Sequence, residues 1–383
     1  MADVAELTRN AVHVLPEGEL ERKLALDRPL RVKLGIDVTS PDIHVGRGIP
    51  LQRMRAFQDA GHIGVLIVGD YTTRIGDPSG RSAERPLLSD AEIDANARAY
   101  QEQAFQIIDP DRTEVRYNGE WLSKLTYADV VRLARVTTVA RILERDDFAQ
   151  RYAAQEPISV SELLYPLMQG YDSVAVEADV ELGGTDQLYN LLTGREVMEA
   201  HDMDPQVVLT TPLLLSWDGE KMSSSVGNNI PLTAPPEEMF GKTMRLPDDL
   251  LPEWYGLVWE RELDPAVQPM DAKLALARFI VARSHGEEAA QQAEEHFTRV
   301  VREHQAPDDV PEAELPDGDP VHLPALLVQH LGLGSTSEAR RLIAGGGVKI
   351  DGEPVGELDL PRSRLDGALL QAGKRRFMRF SAA

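Results

Sequence analysis

The 383-residue chain contains no cysteine, which excludes disulfide frameworks, thiolate zinc sites and a catalytic thiol. A chain without thiols is indifferent to redox poise, so this absence fits a reducing compartment without establishing one. Basic residues are scarce. Against 63 Asp+Glu stand 40 Lys+Arg, a formal charge of −23. So acidic a body is a poor general binder of nucleic acid, whose phosphates need a basic surface. Long hydrophobic runs are missing too: the longest, residues 63–69, is about a third of a bilayer crossing. The first residues show no basic stretch followed by an apolar core, the mark of a secretory signal. The expectation is a soluble, cytoplasmic protein with no membrane partner.

The length allows two or three domains at roughly 100–200 residues each. Charge is spread unevenly along it. From Val321 to the end nine Lys+Arg face six Asp+Glu, a net of +3, while the preceding 320 residues carry −26. An acidic body with a small basic tail-piece reopens the question of a nucleic-acid partner.

Short apolar runs at 32–36 and 65–68 end in polar, glycine-rich turns, and Ile49, Met54 and Phe57 fall between them at near-helical spacing. Strand, turn, helix, strand predicts a βαβ unit in a parallel sheet. Residues 89–108 and 126–143 read as helices, the second opened by a Thr126/Asp129 capping-box pattern. Strands are expected at 113–117, 205–209 and 212–215, so the first ~220 residues look doubly wound. Beyond Pro231 strands fade, and 236–244 and 271–302 read as helices. Residues 305–320, with four Pro and six acidic residues, are a linker by composition. After it Ser335 and Glu338 form a capping-box pattern ahead of a helix at 338–344, which Gly345-Gly346-Gly347 can end. Residues 348–355 read as a hairpin turning at Asp351-Gly352.

Two segments suit phosphate chemistry. Gly35-Ile-Asp37-Val-Thr39-Ser-Pro-Asp-Ile-His44-Val-Gly46-Arg47-Gly48 lies between the first strand and its helix, and a helix N-terminus is a natural phosphate seat. His44 can donate to a phosphate oxygen, and Gly46 lets a ligand approach the backbone closely. A dinucleotide fingerprint is absent, because the third glycine is missing and Pro50 follows. The second segment, Asp218-Gly219-Glu-Lys221-Met222-Ser223-Ser224-Ser225, sets a lysine before three hydroxyls, which suits gripping a polyphosphate. Taken singly, these segments read equally well as a helix start with a surface histidine and as a solvated loop. Between them, Tyr165, Gln169 and Asp172 stand at i, i+4 and i+7, one helical face, interleaved with leucines and interrupted by Pro166. A carboxylate beside a Tyr and a Gln can bind a phenol hydroxyl and an ammonium. A site built to bond a hydroxyl rejects phenylalanine by ~10⁴–10⁵.

Together, His44-Val-Gly-Arg47 and Lys221-Met-Ser-Ser-Ser225 resemble the HIGH and KMSKS signatures of class I aminoacyl-tRNA synthetases. Gly76-Asp77-Pro78-Ser79-Gly80-Arg81, the 165–173 segment and Gly183-Gly184-Thr185-Asp186-Gln187 are similar to the tyrosyl-tRNA synthetase set, and the C-terminal unit is similar to the S4 RNA-binding module of its bacterial members. The resemblance covers nearly the whole chain. It implies an α/β fold: a Rossmann-like, doubly wound parallel sheet at 1–226, an α-helical anticodon-recognition domain at 227–305, a linker at 306–320 and a small α+β S4-like domain at 321–383. It implies a homodimeric tyrosine–tRNA ligase that uses ATP with Mg2+, L-tyrosine and tRNA(Tyr), and holds no metal of its own.

By the same resemblance, Asp77, Tyr165 and Gln169 match residues that hold the substrate amino group, Asp172 the carboxylate that takes the phenol, and Gln187 the substrate-carboxylate region. Gly35, Asp37, Thr39, Gly46, Gly184 and Asp186 match the ATP side. His44, Lys221, Met222 and the serines 223, 224 and 225 match the groups embracing the phosphates, and Arg81 and Arg85 a loop clamping the same oxygens. Arg340, Arg341, Lys349, Lys374, Arg375, Arg376 and Arg379 are expected to meet tRNA phosphates. Three positions depart from the pattern. Arg47 replaces the second histidine of HIGH, and either grips phosphate or obstructs the nucleotide; Ser224 replaces the second lysine of KMSKS. Lys33 stands where many members set a Tyr against the substrate hydroxyl. Two rival readings are an RNA-binding paralogue that does not aminoacylate and a nucleotidyltransferase acting on a small molecule.

Overall fold

Buried apolar strands alternating with helices build the first part of the computed structural model, which describes residues 3–78, 88–299, 310–373 and 376–381. The chain divides into two compact units, residues 1–235 with 242–276, and residues 236–241 with 277–383. In the first, β1 (His13–Leu15), β2 (Arg31–Ile36), β3 (Ile63–Val68), β4 (Thr113–Tyr117), β5 (Val180–Gly184) and β6 (Val207–Thr211) form one sheet in the order β1-β6-β5-β2-β3-β4. All neighbours run parallel except β1, which joins β6 antiparallel. β3 and β6 are buried almost end to end, as strands covered on both faces must be. The helix Val45–Asp59 crosses from β2 to β3 and completes the expected βαβ unit. Chain order reverses between β2 and β5, so the connections leaving their C-terminal ends diverge and open a crevice.

Several boundaries differ from the sequence expectation for local reasons. β5 is a strand that apolar patterning does not flag, because Val180-Glu-Leu-Gly-Gly184 mixes a carboxylate and two glycines into a short run. The 212–215 segment is not a strand of the sheet. It is one arm of a tight turn in which the Met222 amide donates to the Leu214 carbonyl at 2.9 Å and that of Ser216 to Glu220 at 2.8 Å. The helix expected at 126–143 divides. Tyr127–Ala134 keeps its Thr126/Asp129 capping box, the β-branched run from Val136 breaks it, and Thr138 caps a short second helix, Val139–Ile142. Gly286, at φ +88°, splits the long helix expected at 271–302 into Pro269–His285 and Glu287–Phe297.

Pro166 does not break the helix Val160–Ala175, which Ser159 and Glu162 start with a capping box. This helix lies close against Leu188–Glu199: a Cβ on Gly170 would come within 3.0 Å of the Gly194 Cα and of Val197.

In the second unit, β9 (Val348–Ile350), β10 (Glu353–Pro354), β12 (Leu369–Ala372), β13 (Arg376–Ser381) and β7 (Glu312–Glu314) form a sheet in the order β10-β9-β12-β13-β7, and β8 (Val321–His322) pairs with β11 (Asp359–Leu360). β7 falls inside the stretch expected as linker: it pairs in parallel with β13, and Leu315 after it is buried. The β9–β10 turn has Asp351 and Gly352 both at positive φ (+51° and +87°), as two-residue hairpins favour. Ser335 caps the helix Thr336–Ala344, while Glu338 reaches back to the Gly334 amide at 2.9 Å instead of completing the capping box. Leu323, Leu326, Leu327, Ile350, Leu370 and Phe380 share the apolar core of this unit. Arg340, Arg341, Arg376 and Arg379 are exposed and Lys349 is half-buried; Lys374 and Arg375 lie outside the described residues. Among the described residues no helix is long and apolar enough to cross a membrane.

Candidate active site

The crevice at the β2/β5 reversal widens into a cavity of about 830 Å3 within the first unit. The helix Val160–Ala175 presents Tyr165, Gln169 and Asp172 to it along one face, as their spacing requires. A chain of hydrogen bonds joins Tyr165 to Asp172. The Tyr165 hydroxyl donates to Asp37 Oδ2 at 3.0 Å, and Thr72 Oγ1 donates to Asp37 Oδ1 at 2.8 Å. Asn118 Nδ2 donates to Thr72 Oγ1 at 3.0 Å and to Asp172 Oδ2 at 3.3 Å, and the Trp121 indole donates to Asp172 Oδ1 at 2.8 Å. Gly69 makes room for this chain: a Cβ there would sit 2.5 Å from both Asp37 Oδ1 and Thr72 Oγ1.

Burial pushes the Asp172 carboxyl up to about 7, against the opposing pull of Lys33 and of its two donors. Burial, reinforced by the carboxylates of Asp37 and Asp77, raises the Tyr165 phenol well above its ordinary value. The Gln169 Oε1 is buried without a partner among the described residues, acceptor capacity that a bound ammonium can use. Farther along the wall, Gln187 Nε2 donates to Asp77 Oδ2 at 2.7 Å, while its Oε1 accepts from Asn190 Nδ2 at 3.1 Å.

The other end is built for anions. His44 is the N-cap of Val45–Asp59, its Nδ1 accepting from the Arg47 amide at 3.3 Å. Burial, with the nearby charges of Arg47 and Lys221, pushes this imidazole down to about 3. It is therefore neutral at working pH, and with Nδ1 accepting, its proton sits on Nε2 as a donor. Arg47 makes only long contacts, 3.4 Å to Ser40 Oγ and 3.5 Å to the Asp42 carbonyl, and no ion pair among the described residues. Lys221 is paired with Asp186 at 2.6 Å. Backbone bonds set the two signature segments side by side: Val45 N to the Ile230 carbonyl at 3.0 Å and Leu232 N to that of Ile43 at 2.8 Å. The buried Asn228 amide shapes the loop, donating to Asp218 and to the Lys221 carbonyl and accepting from Ser223 N. Asn229 Nδ2 donates to Ser224 Oγ at 3.3 Å.

Gly35, Thr39, Gly46, Gly184, Met222, Ser223 and Ser225 also line the cavity. Arg81 and Arg85 lie outside the described residues. Among the described residues expected around the substrates, Lys33 alone is off the cavity wall. Its fully buried ammonium turns the other way, to Glu181 at 2.7 Å, because a buried cation settles where a carboxylate neutralises it. Trp121, Asn118, Thr72 and Asn228 carry no motif that would single them out. Asn118 alone offered a hint, following directly on the C-terminal end of β4. Among the described residues no cluster of three or more His, Asp or Glu is arranged to hold a metal ion.

Residues 25–302 match the family model for tRNA synthetases class I (W and Y), and residues 323–359 that for the S4 domain. The tyrosine–tRNA ligase of Moorella thermoacetica is 50% identical over 389 residues, covering 97% of this chain and 94% of that protein. That of Thermotoga maritima is 47% identical, covering 98% and 96%. The crystal structure of tyrosyl-tRNA synthetase complexed with L-tyrosine from Archaeoglobus fulgidus aligns with a TM-score of 0.63 at 25% identity, over 76% of this chain and 98% of that one.

Proposed function

The chain belongs to the class I tRNA synthetase family of the tryptophan and tyrosine enzymes, and we propose from that membership that it acts as a tyrosine–tRNA ligase. A tyrosine carboxylate oxygen attacks the α-phosphorus of ATP, the bond to the bridging oxygen breaks, and tyrosyl-adenylate and pyrophosphate form. The tyrosyl group then passes to the 3′-terminal adenosine of tRNA(Tyr). The observation that carries this reading is one cavity with the helix face of Tyr165, Gln169 and Asp172 at one end and, at the other, a neutral histidine, a lysine and an arginine that makes no ion pair among the described residues.

In this reading Asp172 takes the phenol hydroxyl, Tyr165, Gln169 and Asp77 hold the ammonium, and Gln187 orients the carboxylate. Gly35, Asp37, Thr39, Gly46, Gly184 and Asp186 cradle the nucleotide. His44 Nε2, Arg47, Lys221 and the serines at 223–225 stabilise charge as pyrophosphate leaves, joined by Arg81 and Arg85. No covalent enzyme intermediate is needed, so the rate comes from positioning and charge stabilisation. Mg2+ enters as the ion of the ATP substrate.

The domain division that goes with this function is a catalytic domain at 1–226, an anticodon-recognition domain at 227–305, a linker at 306–320 whose residues 312–315 join the sheet and core of the unit after it, and an S4 domain at 321–383. Arg340, Arg341, Lys349, Lys374, Arg375 and Arg376 offer it charges for tRNA phosphates, and a substrate set of ATP and tRNA puts the work in the cytoplasm. A homodimer is supported by exposed apolar side chains. Of the ten large exposed hydrophobics among the described residues, Tyr127, Val131, Val139, Tyr152 and Val160 fall within residues 127–160, a concentration that a monomer would leave in water.

The test is tyrosine-dependent ATP–pyrophosphate exchange without tRNA, with phenylalanine and tryptophan as controls. Exchange with tyrosine alone is the expected result. Its absence from folded protein would overturn the activity and favour an RNA-binding paralogue.

A further inference from the structure

Lys33 lies in the middle of β2 with its ammonium withdrawn from water, and every one of its three protons has an acceptor. These are the Gln169 carbonyl at 2.9 Å, Ser173 Oγ at 2.8 Å and Glu181 Oε1 at 2.7 Å. Glu181, on β5, is satisfied as completely: its Oε2 also accepts from Ser173 Oγ at 2.9 Å and from Gln206 Nε2 at 2.6 Å. The fold reserves space for the cluster, since a Cβ on Gly194 would come within 2.7 Å of Gln206 Nε2 and 3.2 Å of Glu181 Oε2. A buried pair of this kind contributes little net stability over apolar side chains of the same shape, so its presence calls for another account.

Its position suggests one. Gln169 and Ser173, four residues apart, span the helix turn that carries Asp172. We propose that Lys33 is a positioning residue for tyrosine recognition: its buried ammonium, balanced by Glu181, ties β2 to the Val160–Ala175 helix at Gln169 and Ser173 and so fixes the direction of Gln169 and Asp172 into the cavity. The inference rests on the reading of Asp172 as the group that takes the phenol.

The cluster also sets the charge behind Asp172. Facing that carboxylate are Lys33 from β2, Glu181 from β5, the neutral donors Asn118 and Trp121 from the segment after β4, and Tyr165 on its own helix, beyond which lie Asp37 and Asp77. Lys33 is the cation of that set and favours the ionised carboxylate, while Glu181 opposes it. The two partners of one ion pair therefore act on Asp172 with opposite signs.

Tyrosine-dependent pyrophosphate exchange, measured from about pH 5.5 to 9 on the full-length chain, tests this. Lys33→Met is expected to raise the tyrosine KM about tenfold with the ATP KM held within about twofold, and to move the acid limb of kcat/KM for tyrosine up by about one pH unit. Glu181→Gln moves that limb down. Limbs that shift in the same direction, or that stay in place, overturn the proposal. Where a single variant leaves a charge unpaired and does not fold, the neutral double variant Lys33→Met/Glu181→Gln decides. A raised tyrosine KM beside an unchanged ATP KM supports the positioning role, and a wild-type tyrosine KM overturns it.

Asp172→Asn separates the two levels of failure. If it keeps both the acid limb and the preference for tyrosine over phenylalanine, the reading of Asp172 fails and the inference with it. If it loses both while the Lys33 and Glu181 variants behave as wild type, only the role of Lys33 falls.

Discussion

Asp172→Asn is expected to exchange tyrosine recognition for stability at alkaline pH, and the structure sets the size of both effects. Burial lifts the carboxyl from 3.8 to about 7, roughly three units, or about 4 kcal/mol of ionisation cost carried by the folded chain above pH 7. The folded value lies above the unfolded one, so between them the folded state binds more protons and stability falls as pH rises. Below 3.8 the cost is absent and above about 7 it is constant. About two of the three units lie above pH 5, so the wild type loses about 3 kcal/mol through this group between pH 5 and pH 8.

Asparagine carries no such charge, but it has one oxygen for two donors. Its amide must face either the Trp121 indole or Asn118 Nδ2, at about 1–3 kcal/mol whatever the pH. Urea denaturation at the two pH values separates these contributions: the variant is expected to gain about 3 kcal/mol relative to wild type on going from pH 5 to pH 8, on top of a constant offset. In exchange assays at pH 8, kcat/KM for tyrosine falls about 10- to 100-fold and that for phenylalanine barely moves, the loss of one bond to a charged acceptor. A stability difference that does not change with pH would refute the buried, costly carboxylate. An intact preference for tyrosine would refute its role in reading the hydroxyl.

Gly69→Ala drives a methyl into the Asp37–Thr72 bond and, because Asp37 serves the nucleotide as well as anchoring Tyr165, is expected to cost about 1–3 kcal/mol and to raise both the ATP and the tyrosine KM; an unchanged tyrosine KM would count against the hydrogen-bond chain as the tyrosine wall. Tyr152→Asp places a charge among the exposed apolar side chains of residues 127–160 and yields a monomer by sedimentation, whereas an undisturbed dimer would move the interface elsewhere. Arg340→Ala with Arg341→Ala leaves pyrophosphate exchange intact, raises the tRNA KM and lowers the slope of log affinity against log salt by about 1–2; an unchanged slope removes both from the RNA surface. If the charge at Arg47 compensates for the lysine absent at Ser224, then Ser224→Lys rescues Arg47→Ala in exchange by more than it improves wild type, and strictly additive log rates reject the idea.

What the sequence makes legible, and what it hides, divides by the range of the interaction responsible. The face of Tyr165, Gln169 and Asp172 needs only helical periodicity, and the helix runs through Pro166 with that face intact. The βαβ start, the capping box at Thr126 and the turn at Asp351-Gly352 are equally local, and they stand in the structure. The partners of Asp172 are not local: Trp121 and Asn118 come from another segment 51 and 54 residues away, and apart from the place of Asn118 at the end of a strand nothing in their own neighbourhood announces it.

Lys33 and β5 are two faces of one miss. Glu181 makes the β5 segment look too polar for a buried strand, and without that strand Lys33 has no visible counter-charge to set against the resemblance that places it at the substrate hydroxyl. Each residue breaks the apolar pattern only because the other, 148 positions away, repairs it. A single charge inside an otherwise apolar strand is thus better treated as half of an unseen pair than as a site residue. Val32-Lys33-Leu34 already carried that signal, and a search for its carboxylate would have led to Glu181 and to the strand that holds it.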